Sequence, residues 1–233
     1  MKLLPTIQFQ EDWFKYPATI HETTKNISAI HISRVLKTMG IKNNQFMLAI
    51  HDPILMHVDP HDISRLTPEL VSRIFFECQR NHWYYFREVV RIPTTGGEAI
   101  PFEFHRGNLA LIWSYYNDID IGLVQPRQTG KTMGTQGIMS HQMYFQGYKF
   151  DIAMMTKDQS LLQDNVTRLK DIRDALPACL LQRDAISKDK DAKEGLSYTA
   201  LKNQYRTYVN SNNERDAYKL GRKLSTLRPT RVI

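Results

Sequence analysis

Apolar residues first recur at helical spacing between Ile27 and Gly40. Ile32, Val35, Leu36 and Met39 line one face there, and Gly40 ends the run. Before it, Phe9, Trp13, Phe14 and Tyr16 are scattered among polar residues without a period. A loop rich in His, Asp and Pro runs from His51 to Asp62. Thr67 then offers a hydroxyl cap, Pro68 a first-turn proline and Glu69 a carboxylate for the positive end of the helix dipole. This predicts a helix through Val71, Ile74, Phe75 and Cys78. A second short helix or turn covers Trp83–Val90, and Thr94-Thr-Gly-Gly97 reads as a turn.

The composition changes near Pro101. From there the pattern predicts a helix over Arg106–Tyr116, a strand over Ile119–Val124, a loop and a helix over Lys131–Phe145. A strand over Tyr148–Thr156 and a helix over Ser160–Leu176 follow. Leu162, Val166, Leu169 and Leu176 form the apolar face of that last helix, and Gly147 closes the one before it. Strands alternating with helices of this length predict βαβ units and a parallel sheet. Residues 183–195 carry balanced charge without an apolar period and read as a solvated loop. Ser197–Leu201 and Tyr205–Val209 then alternate like a hairpin, with Lys202-Asn203 at or near its turn, so Tyr205 and Tyr208 read as strand residues.

Composition narrows the class without deciding it. The chain has 233 residues, 42% of them hydrophobic and 24% charged, enough for a sizeable core. Its net charge of +7 gives mild support to a polyanionic partner. Two widely separated cysteines, Cys78 and Cys179, argue against a disulfide framework and against a zinc site. No apolar run approaches the ~20 residues that span a bilayer, and the first residues lack a signal-peptide block. The expectation is a soluble, cytosolic protein.

The segment richest in chemistry is Gln125-Pro126-Arg127-Gln128-Thr129-Gly130-Lys131-Thr132. Gly-Lys-Thr, placed after the apolar run Ile121-Gly-Leu-Val124 and before an amphipathic stretch, is the core of a Walker A loop. Backbone N–H groups and the positive end of the following helix would cradle phosphates. Lys131 would reach the β- and γ-oxygens, and the Thr132 hydroxyl would ligate Mg²⁺. Gln125 stands where the motif has its first glycine. Arg127 reads either as a solvated side chain or as a cation aimed at the γ-phosphate.

These residues, with three further stretches, make the chain resemble the large terminases of tailed bacteriophages, especially those of large myoviruses. Gln125–Thr132 looks like the terminase Walker A, which typically carries an arginine where Arg127 stands. Asn81-His-Trp-Tyr-Tyr-Phe-Arg-Glu-Val-Val90 resembles the aromatic segment leading into the ATPase core. Pro101-Phe-Glu-Phe-His-Arg-Gly-Asn-Leu109 resembles the element that contacts adenine, which brings in Phe104, His105 and Arg106. Thr156-Lys-Asp, with Val166 to Pro177, is similar to the strand and helix after the Walker A unit. Relatives usually place Gln where His105 stands. The match runs from about residue 40 to the end.

The resemblance implies an α/β protein: a P-loop NTPase core over residues 98–233 with a parallel sheet flanked by helices, preceded by a mostly helical N-terminal region over 1–97. It implies ATP and Mg²⁺ as cofactors, and double-stranded DNA, a portal protein and a small terminase subunit as partners. The implied place is the host cell cytoplasm, transiently at the procapsid portal. Large terminases continue past a Leu-Gly-Arg segment, here Leu220–Arg222, into an apolar strand ending in Asp-Glu, the Walker B motif. Arg231-Val-Ile233 looks like the beginning of that strand, and no later Asp-Glu follows. Hydrolysis is therefore expected to need a complementing C-terminal terminase polypeptide. The catalytic candidates in this chain are Lys131 and Arg127.

Other groupings carry less. His51-Asp52 and His57-Val-Asp59-Pro-His61-Asp62 contain enough donors for a metal, but the favoured reading is a surface loop whose Asp residues cap turns. Lys219, Arg222, Lys223, Arg228 and Arg231 are more readily a solvated face than a DNA surface. Within them Arg222 and Lys223 are the DNA-contact candidates. A helicase-like, nucleic-acid-stimulated ATPase and a non-catalytic nucleotide-binding fragment are the rival functions.

Overall fold

The computed structural model describes residues 19–94, 97–124, 126, 130–182, 189–209 and 231–232. The chain divides into two units, one of Met1–Val90 with Pro101–Gly122, the other of Arg91–Ile100 with Leu123–Ile233. Among the described residues it is a mixed α/β protein with six α-helices. The partition puts Pro101–Gly122 with the first unit.

The first unit is helical. Helix α1 (Ile27–Thr38) starts at Asn26, whose side-chain oxygen accepts from the Ala29 N–H at 3.3 Å. Three short 3₁₀ turns follow, at Phe46–Leu48, Pro53–His57 and Ile63–Arg65. Helix α2 (Pro68–Arg80) has the start expected of it, with the Thr67 hydroxyl accepting from Leu70 N–H. Helix α3 (His82–Tyr84) runs into a π-turn over Tyr85–Val89, and α4 spans Arg106–Tyr116. In sequence between them lies a two-stranded ladder of β1 (Arg91–Ile92) and β2 (Ile100–Pro101).

The core of this unit is aromatic. Phe46 packs edge-on against Trp83 with centroids 4.9 Å apart, Phe86 against Phe102 at 5.0 Å, and Phe102 against Phe104 at 5.2 Å. Burial of such rings is the main driving force available to a helical unit of this size. The Asn26 amide joins the segments, donating to the carbonyls of Arg87 and Phe102 at 3.1 and 2.9 Å. The Arg87 guanidinium is fully buried. It is satisfied by the Glu88 carboxylate at 2.6 Å and by the carbonyls of Met47 and Ala49.

The second unit holds a five-stranded sheet in the order β4-β5-β6-β3-β7. It begins with α5 (Lys131–His141), which continues as a π-turn over Gln142–Gln146 and stops at Gly147. Strand β3 (Asp151–Thr156) follows, then α6 (Gln159–Asp174) and a 3₁₀ turn at Ala178–Leu180. Strands β4 (Asp191–Ala192), β5 (Gly195–Tyr198), β6 (Asn203–Val209) and β7 (Arg231–Val232) complete the sheet. β3 runs parallel to both β6 and β7, with Asp151 opposite Gln204 and Ile152 opposite Arg231. α6 packs against β3, β6 and α5 through its buried Leu162, Val166, Leu169 and Ile172.

Two expectations need correction. The sheet is mixed, not parallel: β4, β5 and β6 pair antiparallel, because the hairpin inserted after α6 brings β6 beside β3 and leaves its other two strands at the edge. The second concerns Ile119–Val124, which forms no strand. No described strand pairs with it, and the Ile119 N–H turns back to the Ser114 carbonyl at 3.0 Å. Its apolar side chains are exposed, Val124 almost completely at 99%.

Candidate functional site

Gly130 opens α5 from a left-handed backbone, with φ 74° and ψ 6°. Any residue with a Cβ is strained there, so glycine is what permits the chain to turn directly into a helix. Its carbonyl accepts from the Gly134 N–H at 3.0 Å, closing the first helical turn. Among the described residues no side chain caps this end. The first-turn N–H groups of a helix have no intrahelical acceptor and carry the positive end of the dipole, a ready environment for an anion.

Lys131 and Thr132 occupy the first two helical positions. Lys131 is exposed and Thr132 half-buried, while the helix turns Gly134, Gly137, Ile138 and Met139 inward. Thr135 returns its hydroxyl to the Lys131 carbonyl at 3.0 Å. Downstream, the Gln136 amide donates to Asn165 Oδ1 of α6 at 3.4 Å, tying the two helices together. The far end is held more firmly. The Asn203 amide, at the start of β6, donates to the carbonyls of Gln142, Met143 and Gly147 at 3.2, 2.8 and 2.9 Å. Nothing in the sequence pattern marked Asn203, which reads there as a turn residue.

Pro126 is exposed. Gln125, Arg127, Gln128 and Thr129 lie outside the described residues, as do Arg222 and Lys223. In the first unit, Phe104 sits in the aromatic core, with Phe102 and Trp83 against it. His105 is the cap of α4: its Nδ1 accepts from the N–H groups of Gly107 and Asn108 at 3.1 and 3.3 Å. In return the His105 N–H donates to Asn108 Oδ1 at 2.8 Å, completing a capping box. With Nδ1 accepting, the neutral ring carries its proton at Nε2. Arg106 follows as the first helical residue and is exposed.

The histidine-rich loop is a set of capped turns. Asp52 accepts from Ile54 N–H at 3.1 Å, and Asp59 from His61 N–H at 2.9 Å. Among the described residues no three His, Cys, Asp or Glu side chains converge on a metal position. Nor is any described helix long and apolar enough to cross a membrane. No protein-family model matches the chain, and no curated protein matches it.

Proposed function

We propose that this chain is the ATP-binding part of a viral DNA-packaging motor, a terminase large subunit, which couples ATP hydrolysis to movement of double-stranded DNA into a procapsid. The observation that carries the reading is the left-handed Gly130 followed by Lys131 and Thr132 at the first two positions of a helix. That is the arrangement in which a Gly-Lys-Thr sequence presents N–H groups, an ammonium and a hydroxyl to one phosphate chain. Further support comes from the aromatic segments Asn81–Val90 and Pro101–Leu109, quoted above for their likeness to terminases. The strand before the loop, which a P-loop domain places there, is the part of the expectation that Ile119–Val124 does not meet.

In this reading the ammonium of Lys131 pairs with β- and γ-phosphate oxygens, and the amides at the start of α5 hold the β-phosphate. The Thr132 hydroxyl would help hold Mg²⁺, which would supply neutralisation of phosphate charge. Arg127 stabilises charge that develops during transfer. A portal protein, a small terminase subunit and duplex DNA are the partners.

The test is ATP binding, followed by ATP turnover with duplex DNA, in the chain and in Lys131→Ala. Mg-dependent ATP binding that disappears in Lys131→Ala is expected. Absence of ATP binding in the unmodified chain overturns the reading. Strand separation in an unwinding assay would move it to a helicase.

A further inference from the structure

At the end of the sheet where β3 and β6 begin, three exposed side chains form a cluster. Tyr148 is 61% exposed, and the ammonium groups of Lys149 and Lys202 lie 5.6 and 5.9 Å from its ring centroid. The two turns carrying them are fastened to each other. Lys149 N–H donates to the Leu201 carbonyl at 2.9 Å, and Phe150 N–H donates to Asn203 Oδ1 at 2.8 Å. Both lysines hold a left-handed backbone, with φ of 54° and 58°, which is disfavoured for residues with a Cβ. Outliers of this kind persist where the surrounding structure holds them, and they collect at working surfaces.

Among the described residues no carboxylate lies within ion-pair distance of either lysine, and the nearby Asp151 faces Arg206 at 3.8 Å. Both ammonium-to-ring distances sit near the ~6 Å outer limit of a cation–π contact, so a flat ligand could take the ring without breaking a strong interaction.

We propose that Tyr148, Lys149 and Lys202 form a contact site for single-stranded nucleic acid. A base stacks on the Tyr148 ring while the two ammonium groups neutralise flanking phosphates. An aromatic ring flanked by cations matches a strand whose bases have free faces, since every base offers a π-surface whatever its sequence. A duplex hides those faces in its own stack, and an acidic peptide would use the lysines but leave the ring without a flat partner. The site is independent of the nucleotide reading, because it uses none of residues 125–132.

The experiment is fluorescence anisotropy of the full chain with a labelled oligothymidylate, a duplex of equal length and a poly-glutamate competitor. Tyr148→Ala is expected to weaken oligothymidylate binding about tenfold, the usual cost of one lost stacking partner. Tyr148→Phe keeps the ring and should keep the affinity. Lys149→Asn with Lys202→Asn tolerates the left-handed backbone while removing both charges. It should flatten the salt dependence by about 1.4 in log–log slope, roughly 0.7 for each phosphate. The Arg versions at both positions should restore it. The proposal is overturned if the unmodified chain does not bind the single strand, if Tyr148→Ala binds as tightly as Tyr148→Phe, or if poly-glutamate displaces the oligonucleotide at lower charge concentration than duplex does. Lys131→Ala should leave this binding unchanged, which separates its failure from failure of the ATP reading.

Discussion

Gly147 and Phe150 meet so closely that a methyl group on residue 147 would lie 2.7 Å from Phe150 Cβ and 2.8 Å from the Gln142 carbonyl oxygen. The contact lets the chain leave the π-turn after α5 and enter β3 within a few residues. Gly147→Ala is therefore expected to destabilise the second unit by about 1–3 kcal/mol, the usual range for forced overpacking. Urea unfolding would measure it, and an unchanged midpoint would show that the turn relaxes freely.

Asn203 is 1% exposed, and its amide serves three carbonyls while its oxygen serves Phe150 N–H. Asn203→Ala leaves several of these groups unpaired, each costing about 1–3 kcal/mol. The expected result is a loss of at least that size, with faster hydrogen exchange at the Phe150 amide. Equal protection of that amide in the variant would contradict the assignment.

Lys131 is exposed and contributes nothing to the core. Lys131→Ala should abolish measurable ATP affinity while shifting stability by no more than about 0.5 kcal/mol. Thr132→Ala should weaken ATP binding in the presence of Mg²⁺ and leave Mg-free binding nearly unaltered. Calorimetric titration with and without the metal distinguishes the two effects.

Acid should unfold the first unit in two stages. Burial lowers the His21 imidazole below its ordinary 6.5, against the opposing attraction of Glu88. A histidine depressed in the folded state makes the protein lose stability as pH falls below 6.5, where the unfolded chain takes up the proton first. Burial alone would raise the Glu77 carboxyl, but hydrogen bonds from His51 and Asn81 prevail and hold it below its ordinary 4.5. Its contribution is present above 4.5 and lost as pH falls through the folded value. Urea midpoints should drop below pH 6.5 and more steeply below 4.5. His21→Gln should flatten only the upper limb.

The two thiols should report on different events. Cys179 is exposed, whereas Cys78 is wholly buried on α2, and burial pushes its thiol well up. A thiol reagent should label Cys179 at once and Cys78 only as the first unit opens. Rapid labelling of both under native conditions would mean that α2 is not packed as described.

Local chemistry was legible wherever a residue determines its own surroundings. Thr67 and Pro68 announce α2, the apolar spacing announces α6, and α4 falls on Arg106–Tyr116 as read. Gly130-Lys131-Thr132 was legible as a motif, and Gly130 takes a left-handed backbone at the start of α5. Pairing was not legible. Ile119–Val124 has the composition of a strand, but a strand exists only with a partner, and no described strand lies beside it. The hairpin of β5 and β6 was read from alternation, but alternation does not show which neighbour it joins, so its place beside β3 escaped for the same reason. Lys202 lies far from Tyr148 and Lys149 in sequence and meets them only because two turns are bonded together.

The grip of Asn203 on the end of α5 has a mechanical meaning. A rod clamped at one end transmits a push at the other instead of drifting with it. Any ligand that shifts Lys131 must therefore bend α5 or carry β6 along, and the parallel ladder from Asp151 to Thr156 passes that strain on to β3.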